Sequence, residues 1–263
     1  MSALPPLTVL VVGATGSIGR LVVAEALLQG HNVRALVRNP ARAGNFPAQV
    51  QQMVGDLTQL PTLYAAVDGI DAVVFTHGSD RHGKAGAEQV DYGGVRNFLI
   101  ALDDRKVRVA LMTAIGVTDR KGDFNRTTEA HDWKRRAERL VRASGLAYTI
   151  VRPGWFDYND DDQHLLVLLQ GDTRHAGNPS DGVVSRQQIA EVLVRSLNSE
   201  AARTKTFELV AEHGAASTDF EALFAPLAPD VLDELDAVRD MPNMPLDEEP
   251  ERVREDLARF AAR

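Results

Sequence analysis

The chain opens on a short β-branched run over residues 7–12 (LTVLVV), which stops at Gly13. A continuous apolar run of that length, closed by glycine, predicts a strand buried on both faces of a parallel sheet. Residues 17–29 then place Ile18, Leu21, Val22, Ala26 and Leu28 at roughly helical spacing, with Gly30 as the stop. The same alternation continues down the chain. Strands are predicted at 32–37, 50–54, 71–75, 107–112, 146–151 and 204–210. Helices are predicted at 59–67, a longer one at 85–103, an arginine-rich one at 128–143, and one at 186–197. Strands alternating with helices of these lengths mean an α/β architecture built from βαβ units. Right-handed crossovers then favour a Rossmann-like, doubly wound parallel sheet.

The pattern changes near residue 215. Beyond it come Pro226, Pro229, Pro242, Pro245 and Pro250, with acidic helical stretches between them. The last stretch, 248–262, puts Val253, Leu257, Phe260 and Ala261 on one helical stripe. The chain is therefore read as a body, 1–217, and a helical acidic C-terminal extension, 218–263. The extension would dock on the body, contact a protein partner or a second copy in a homodimer, or fray.

Charge sharpens that division. The whole chain carries a formal net charge of −8. Residues 218–263 hold 13 acidic and 5 basic residues, so they account for all of it, and the body is neutral. Global charge argues against nucleic acid as a partner. The basic run Lys134-Arg135-Arg136 with Arg139 and Arg142 alternates with acids and apolar residues and has no aromatic platform, so it reads as a solvated helix face. The absence of cysteine excludes disulfides, thiolate nucleophiles and Cys-based metal sites. The carboxylate run Asp160-Asp161-Asp162 with Gln163 and His164 reads as a solvated helix start rather than a metal site. The N-terminus lacks the basic flank of a signal peptide, and no apolar stretch nears the ~20 residues of a membrane span. A soluble cytoplasmic protein acting on a small molecule, without membrane or metal, is the expectation.

The sharpest chemistry lies in Gly13-Ala14-Thr15-Gly16-Ser17-Ile18-Gly19, between the first strand and the first helix. In that context Gly13 permits the tight turn, Gly16 lets backbone approach a pyrophosphate, and Gly19 allows helix to pack on strand. The N–H groups and dipole of residues 16–19 would hold phosphates, with Thr15, Ser17 and Ile18 completing the cradle. Arg38, about 20 residues on, ends the second strand, where an acid would select NAD. A guanidinium there would pair with a 2′-phosphate, so NADP(H) is preferred and NAD(H) is the lesser expectation. Gly55-Asp56-Leu57 follows the third strand, where such sheets hold the adenine edge; Asp56 could equally cap the next helix.

These residues resemble the opening of atypical short-chain dehydrogenases/reductases, in the NAD(P)H-binding, NmrA-like branch. Further segments fit the same family: Val90-Asp91-Tyr92, Lys134-x-x-Ala137-Glu138, Ser144 through Gly154, and Ser185-Arg186-Gln187-Gln188-Ile189-Ala190. The resemblance covers 7–210 and implies an extended NADP(H) along the C-terminal strand ends. It implies that Thr76, His77 and Gly78 line the adenosine ribose and diphosphate, and that Pro153 and Gly154 meet the nicotinamide. It implies that Lys134 bonds the nicotinamide ribose and that Thr113, followed by Ala114, stands where relatives place a catalytic Ser or Thr.

One position departs from the pattern. Reductases of this superfamily carry a Tyr four residues before the Lys, and here that position is Ala130. Three explanations compete. A planar acceptor such as a quinone or flavin would take hydride without a phenol. A substitute acid would serve, with His131 sharing a helix face with Lys134, and Tyr92 or Tyr158 as alternatives. Or the chain senses NADP(H) without chemistry. An epimerase or dehydratase is a weaker reading, because those reactions need the missing Tyr. The loop Trp155-Phe156-Asp157-Tyr158-Asn159 follows the strand that would meet the nicotinamide, and Trp155, Phe156 and Tyr158 are its candidate substrate contacts.

Overall fold

The computed structural model describes residues 5–79 and 83–262. The alternation of short apolar runs with helices yields one ten-stranded sheet. Its strands are β1 (Thr8–Val12), β2 (Asn32–Val37), β3 (Gln51–Val54), β4 (Ala72–Phe75), β5 (Arg108–Met112), β6 (Ala147–Pro153), β7 (Trp155–Phe156), β8 (Leu165–Leu169), β9 (Val183–Val184) and β10 (Lys205–Glu212). The order is β3-β2-β1-β4-β5-β6-β10-β9-β7, with β8 also on β10. Strands β1 to β6 are parallel, and β10 is parallel to β6. Strands β8 and β9 are antiparallel to β10, so the sheet is mixed at that end. The order reverses between β1 and β4, the switch point where open α/β sheets take ligands.

The helices are α1 (Ser17–Leu28), α2 (Tyr64–Val67), α3 (Gly83–Gly86), α4 (Gly93–Leu102), α5 (Asp123–Thr128), α6 (Ala130–Ala143), α7 (Arg186–Leu197), α8 (Phe220–Phe224) and α9 (Glu251–Ala261). Strand side chains alternate between two cores. Val9 and Val11 pack with α1, α7 and α8 on one face, while Leu10 and Val12 pack with α4, α6 and α9 on the other. Burial on both faces explains why these strands read as continuous apolar runs.

Two predicted helices divide. The 85–103 span becomes α3, a π-helical stretch Ala87–Tyr92, and α4. The 128–143 span begins at Ala130, because Glu129 turns left-handed at φ 56° and separates α5 from α6. Residues 160–164 are not a helix start. They form a turn in which Gln163 bridges to Gly214, and β8 follows at once along β10.

The largest correction concerns the arginines of α6. They are not a solvated face: Arg135, Arg136, Arg139 and Arg142 are all buried. The acidic segment 230–249 crosses them. Asp236 accepts from Arg135 at 3.0 Å and from Arg139 at 2.6–2.9 Å. Glu249 accepts from Arg136 at 2.6 Å, and Asp230 from Arg142 at 3.2 Å. Buried charges need such partners, since leaving water unpaired costs several kcal/mol per ion, on the order of 5. The end of the chain docks through α9, whose Val253, Leu257 and Phe260 enter the core beside α4 and α6. Asp256 locks it there by accepting from Tyr92 at 2.8 Å and Arg96 at 2.7 Å.

Candidate dinucleotide site at the switch point

The C-terminal ends of β1, β4, β5 and β6 converge on one edge of the sheet. Backbone bonds hold them in register beyond the strands: Thr76 N–H donates to Val12 O at 2.9 Å, and Thr113 N–H to Val151 O at 2.9 Å. Above β1, the glycine loop turns directly into α1. Gly13 has φ +82°, and a Cβ on it would lie 2.8 Å from His77 N. A Cβ on Gly19 would lie 2.1 Å from Gly13 O. Both glycines are therefore required by close backbone approach. Thr15, Gly16 and Ser17 are exposed on the open side of the loop, whereas Ile18 is packed in the core. Only the backbone of Ile18 is available to a ligand. No side chain caps α1, so its first N–H groups are left facing outward.

At the end of β2, Arg38 is exposed and makes no ion pair among the described residues. Asp56 folds back on its own chain: its carboxylate accepts from Thr58 N at 2.9 Å and Thr58 Oγ1 at 2.8 Å. It forms an Asx turn rather than a helix cap. Leu57 is buried against Gly94.

Beyond β4 lies the polar cluster of the site. Lys134 Nζ donates to Asp91 Oδ1 at 3.0 Å, and Ser79 Oγ donates to Asp91 Oδ2 at 2.5 Å. Asp91 is buried on the π-helical stretch, so this ion pair sets where the ammonium sits. His77 adjoins it, with Nδ1 buried and without a partner among the described residues. Burial pushes the His77 imidazole down to about 4, opposed by the Asp91 charge and helped by Lys134. Sequence reasoning assigned no role to Asp91 or Ser79. The one available signal was an acid inside the helical run Gln89-Val90-Asp91-Tyr92-Gly93, where burial demands a partner.

Thr113 stands at the end of β5, but its hydroxyl donates to the buried Glu138 at 2.7 Å. Glu138 also accepts from Arg152 at 2.7–3.0 Å. Burial raises the Glu138 carboxyl, but the charges of Arg152 and Arg142 and the Arg152 hydrogen bonds outweigh it and hold it near 2. The loop after β5 is clamped by Asp172, which accepts from Gly116 N at 2.6 Å and Thr118 N at 2.7 Å.

The candidate acids fare unevenly. His131 lies under this loop, 3.4 Å from where a Gly116 Cβ would be, with its ring 5.0 Å from that of Phe124. Burial lowers its pKa against the pull of Asp172, so it is a poorer proton donor near neutrality than its unperturbed value suggests. Tyr92 does not serve: it is buried, bonded to Asp256, and pushed far up, first by burial and then by the Asp256 charge. Tyr158 is exposed, with its ring edge-on to Trp155 at 6.1 Å. Trp155 and Phe156 form β7, fixed beside β9.

Crowded glycines, free helix N–H groups, an orphaned imidazole nitrogen and an unpaired terminal arginine suit an extended, anionic dinucleotide. Among the described residues, no group of His, Asp and Glu is placed to hold a metal ion. No helix among them is long and apolar enough to cross a membrane.

Fold and loop together define a Rossmann-like dinucleotide-binding protein. The profile of the NAD(P)H-binding family matches residues 13–200, and the chain belongs to that family. Among its relatives, the chloroplast protein TIC 62 of Arabidopsis thaliana is 29% identical over 288 residues. That match takes in 95% of this chain and 44% of TIC 62, so the chain spans less than half of that relative. Sanguinarine reductase of Eschscholzia californica is 27% identical, over 83% of this chain and 95% of that enzyme. A solved structure described as a putative NAD-dependent epimerase/dehydratase from Bacillus halodurans superposes with a TM-score of 0.66 at 25% identity, over 84% of this chain and 97% of that one.

Proposed function

We propose that the protein is an NADP(H)-dependent oxidoreductase that passes hydride to a small planar acceptor. The observation that carries the reading is the Lys134–Asp91–Ser79 cluster beside the uncapped glycine loop on the same strand-end edge. When bound, NADP(H) supplies the hydride. Residues 16–19 receive the diphosphate through the backbone N–H groups of 17–19, because that of Gly16 already donates to Gly13 O at 2.9 Å. Arg38 pairs with the 2′-phosphate, which favours NADP(H) over NAD(H). Thr76, His77 and Gly78 flank the ribose and diphosphate, and Asp56 and Leu57 border the adenine. Asp91 holds the Lys134 ammonium toward the nicotinamide ribose, with Pro153 and Gly154 behind the ring. Thr113, already donating to Glu138, can offer only its lone pairs to a substrate. Trp155 and Phe156 offer ring faces on which a planar acceptor stacks.

An acceptor of that kind fits Ala130, because a quinone or flavin takes hydride without a phenol to protonate it. The relative named sanguinarine reductase supports the same chemistry. The rival reading is a non-catalytic NADP(H) sensor, favoured by the commitment of Thr113 to Glu138 and by the lowered pKa of His131. A panel of quinones, flavins and aldehydes with NADPH, followed at the nicotinamide absorbance band, separates the two. Turnover of at least one acceptor is expected; tight NADPH binding with turnover of none refutes the oxidoreductase.

A further inference from the structure

Arg186 is the first residue of α7, and its side chain reaches from there to the glycine loop. Its helix start is fixed by a capping box between Ser185 and Gln188. Its guanidinium makes three contacts that belong to two different parts of the site. Nε donates to Ser17 Oγ at 3.1 Å, in the open side of the glycine loop. NH1 forms an ion pair with Asp157, in the loop after β7. The guanidinium carbon lies 5.3 Å from the centre of the Phe156 ring. One side chain thus ties the phosphate loop to the substrate loop.

The electrostatics of the loop give this contact a purpose. The stretch from Gly13 to Gly19 contains no charged residue. Arg20 is the next cation in sequence, but it is turned away, donating to Ala43 O at 2.6 Å and lying over Phe46. Arg186 is therefore the guanidinium held at the loop. Its present anion, Asp157, has a half-exposed side chain, so the pair is screened by solvent, weakly held and readily exchanged. A diphosphate at the α1 N-terminus offers paired anionic oxygens, which a planar guanidinium matches better than one solvated carboxylate.

Resting on the dinucleotide reading above, we propose that Arg186 is a cofactor clamp: it leaves Asp157 for the diphosphate, so that cofactor occupancy reshapes the substrate loop. Asp157 keeps a second bond, since it accepts from the Arg186 backbone N–H at 3.0 Å. The loop therefore stays anchored while Phe156 loses its cationic cover. Cofactor then binds before acceptor.

The test is NADPH affinity by titration calorimetry, with tryptophan fluorescence from Trp155 reporting the loop. Arg186→Gln is expected to weaken NADPH binding about tenfold. Asp157→Asn removes the competitor and is expected to tighten it severalfold. The double variant should match Arg186→Gln. Binding of adenosine 2′-phosphate, which lacks the diphosphate, should be the same in all four proteins. NADPH affinity in Arg186→Gln within twofold of wild type, or weaker binding in Asp157→Asn, overturns the clamp. Wild type that binds adenosine 2′-phosphate but not NADPH also overturns it. Wild type that binds neither overturns the dinucleotide reading and the clamp with it.

Discussion

Glu208 should make the protein less stable as pH rises through neutrality. It lies on β10, 2% exposed, and accepts from Arg152 NH1 and from Asp172 N, each at 3.2 Å. Burial pushes its carboxyl up; Arg152 opposes this, while Asp172 and Asp240 add to it, and the result is a pKa of about 7. The unfolded chain releases that proton near 4.5. Between those values the folded state holds a proton that the unfolded state has lost, so stability falls as pH rises. The contribution is complete below pH 4.5 and gone above 7, a span worth about 3 kcal/mol. That is a sizeable part of the ~5–15 kcal/mol that holds a domain folded.

Glu208→Gln is the perturbation that isolates this effect, because glutamine keeps the shape of the protonated acid and does not titrate. Urea unfolding of both proteins, followed by tryptophan fluorescence at intervals from pH 4.5 to 8, gives two stability curves. Subtraction matters because His77 titrates in nearly the same window with the opposite sign. Its pKa is depressed by burial to about 4, so it takes stability away as pH falls from 6.5. The two effects partly cancel in wild type, whereas His77 drops out of the difference. That difference should move by about 3 kcal/mol in favour of the variant between pH 4.5 and 7.5. A flat difference refutes the reasoning.

Four further outcomes are expected. Arg38→Asp should shift preference from NADP(H) to NAD(H) in binding titrations; equal wild-type affinity for both removes the basis for it. Gly19→Ala should abolish NADPH binding and lower stability by about 1–3 kcal/mol in calorimetry, because its Cβ would sit 2.1 Å from Gly13 O. Asp256→Ala should cost about 2 kcal/mol in denaturant unfolding by orphaning the Tyr92 hydroxyl and releasing Arg96 from α9. His131→Ala should leave the pH–rate profile of any active acceptor unchanged, since burial lowers the pKa of the ring and disfavours its proton-donating form; a lost limb would make it the acid.

What could be read in the sequence follows from how local each requirement is. The glycine loop was legible because a phosphate cradle imposes its backbone demands within seven consecutive residues, Gly13 to Gly19. The core strands were legible because burial on both faces leaves no polar position to confuse the period. Strand β8 escaped, although Leu165–Leu169 is wholly apolar, because its pairing with β10 is antiparallel and breaks the βαβ rhythm. The arginines of α6 were misread for a deeper reason. Charge is visible in sequence, but its neutralisation is not when the partners lie 97 and 113 residues downstream, as for Arg139 with Asp236 and Arg136 with Glu249.

The segment count of charge acquires its meaning from those pairs. A neutral total for residues 1–217 conceals a local concentration of buried guanidinium groups on α6 and β6. Arg135, Arg136, Arg139, Arg142 and Arg152 each meet an acid from the 230–249 segment. Arg152 also holds Glu138, which in turn holds Thr113 at the end of β5. The acidic extension is thus the counter-charge of the helix that carries Lys134. Its carboxylates reach the strand-end edge through two buried ion pairs and one hydroxyl, so the geometry of that edge depends on residues outside the glycine-loop motif.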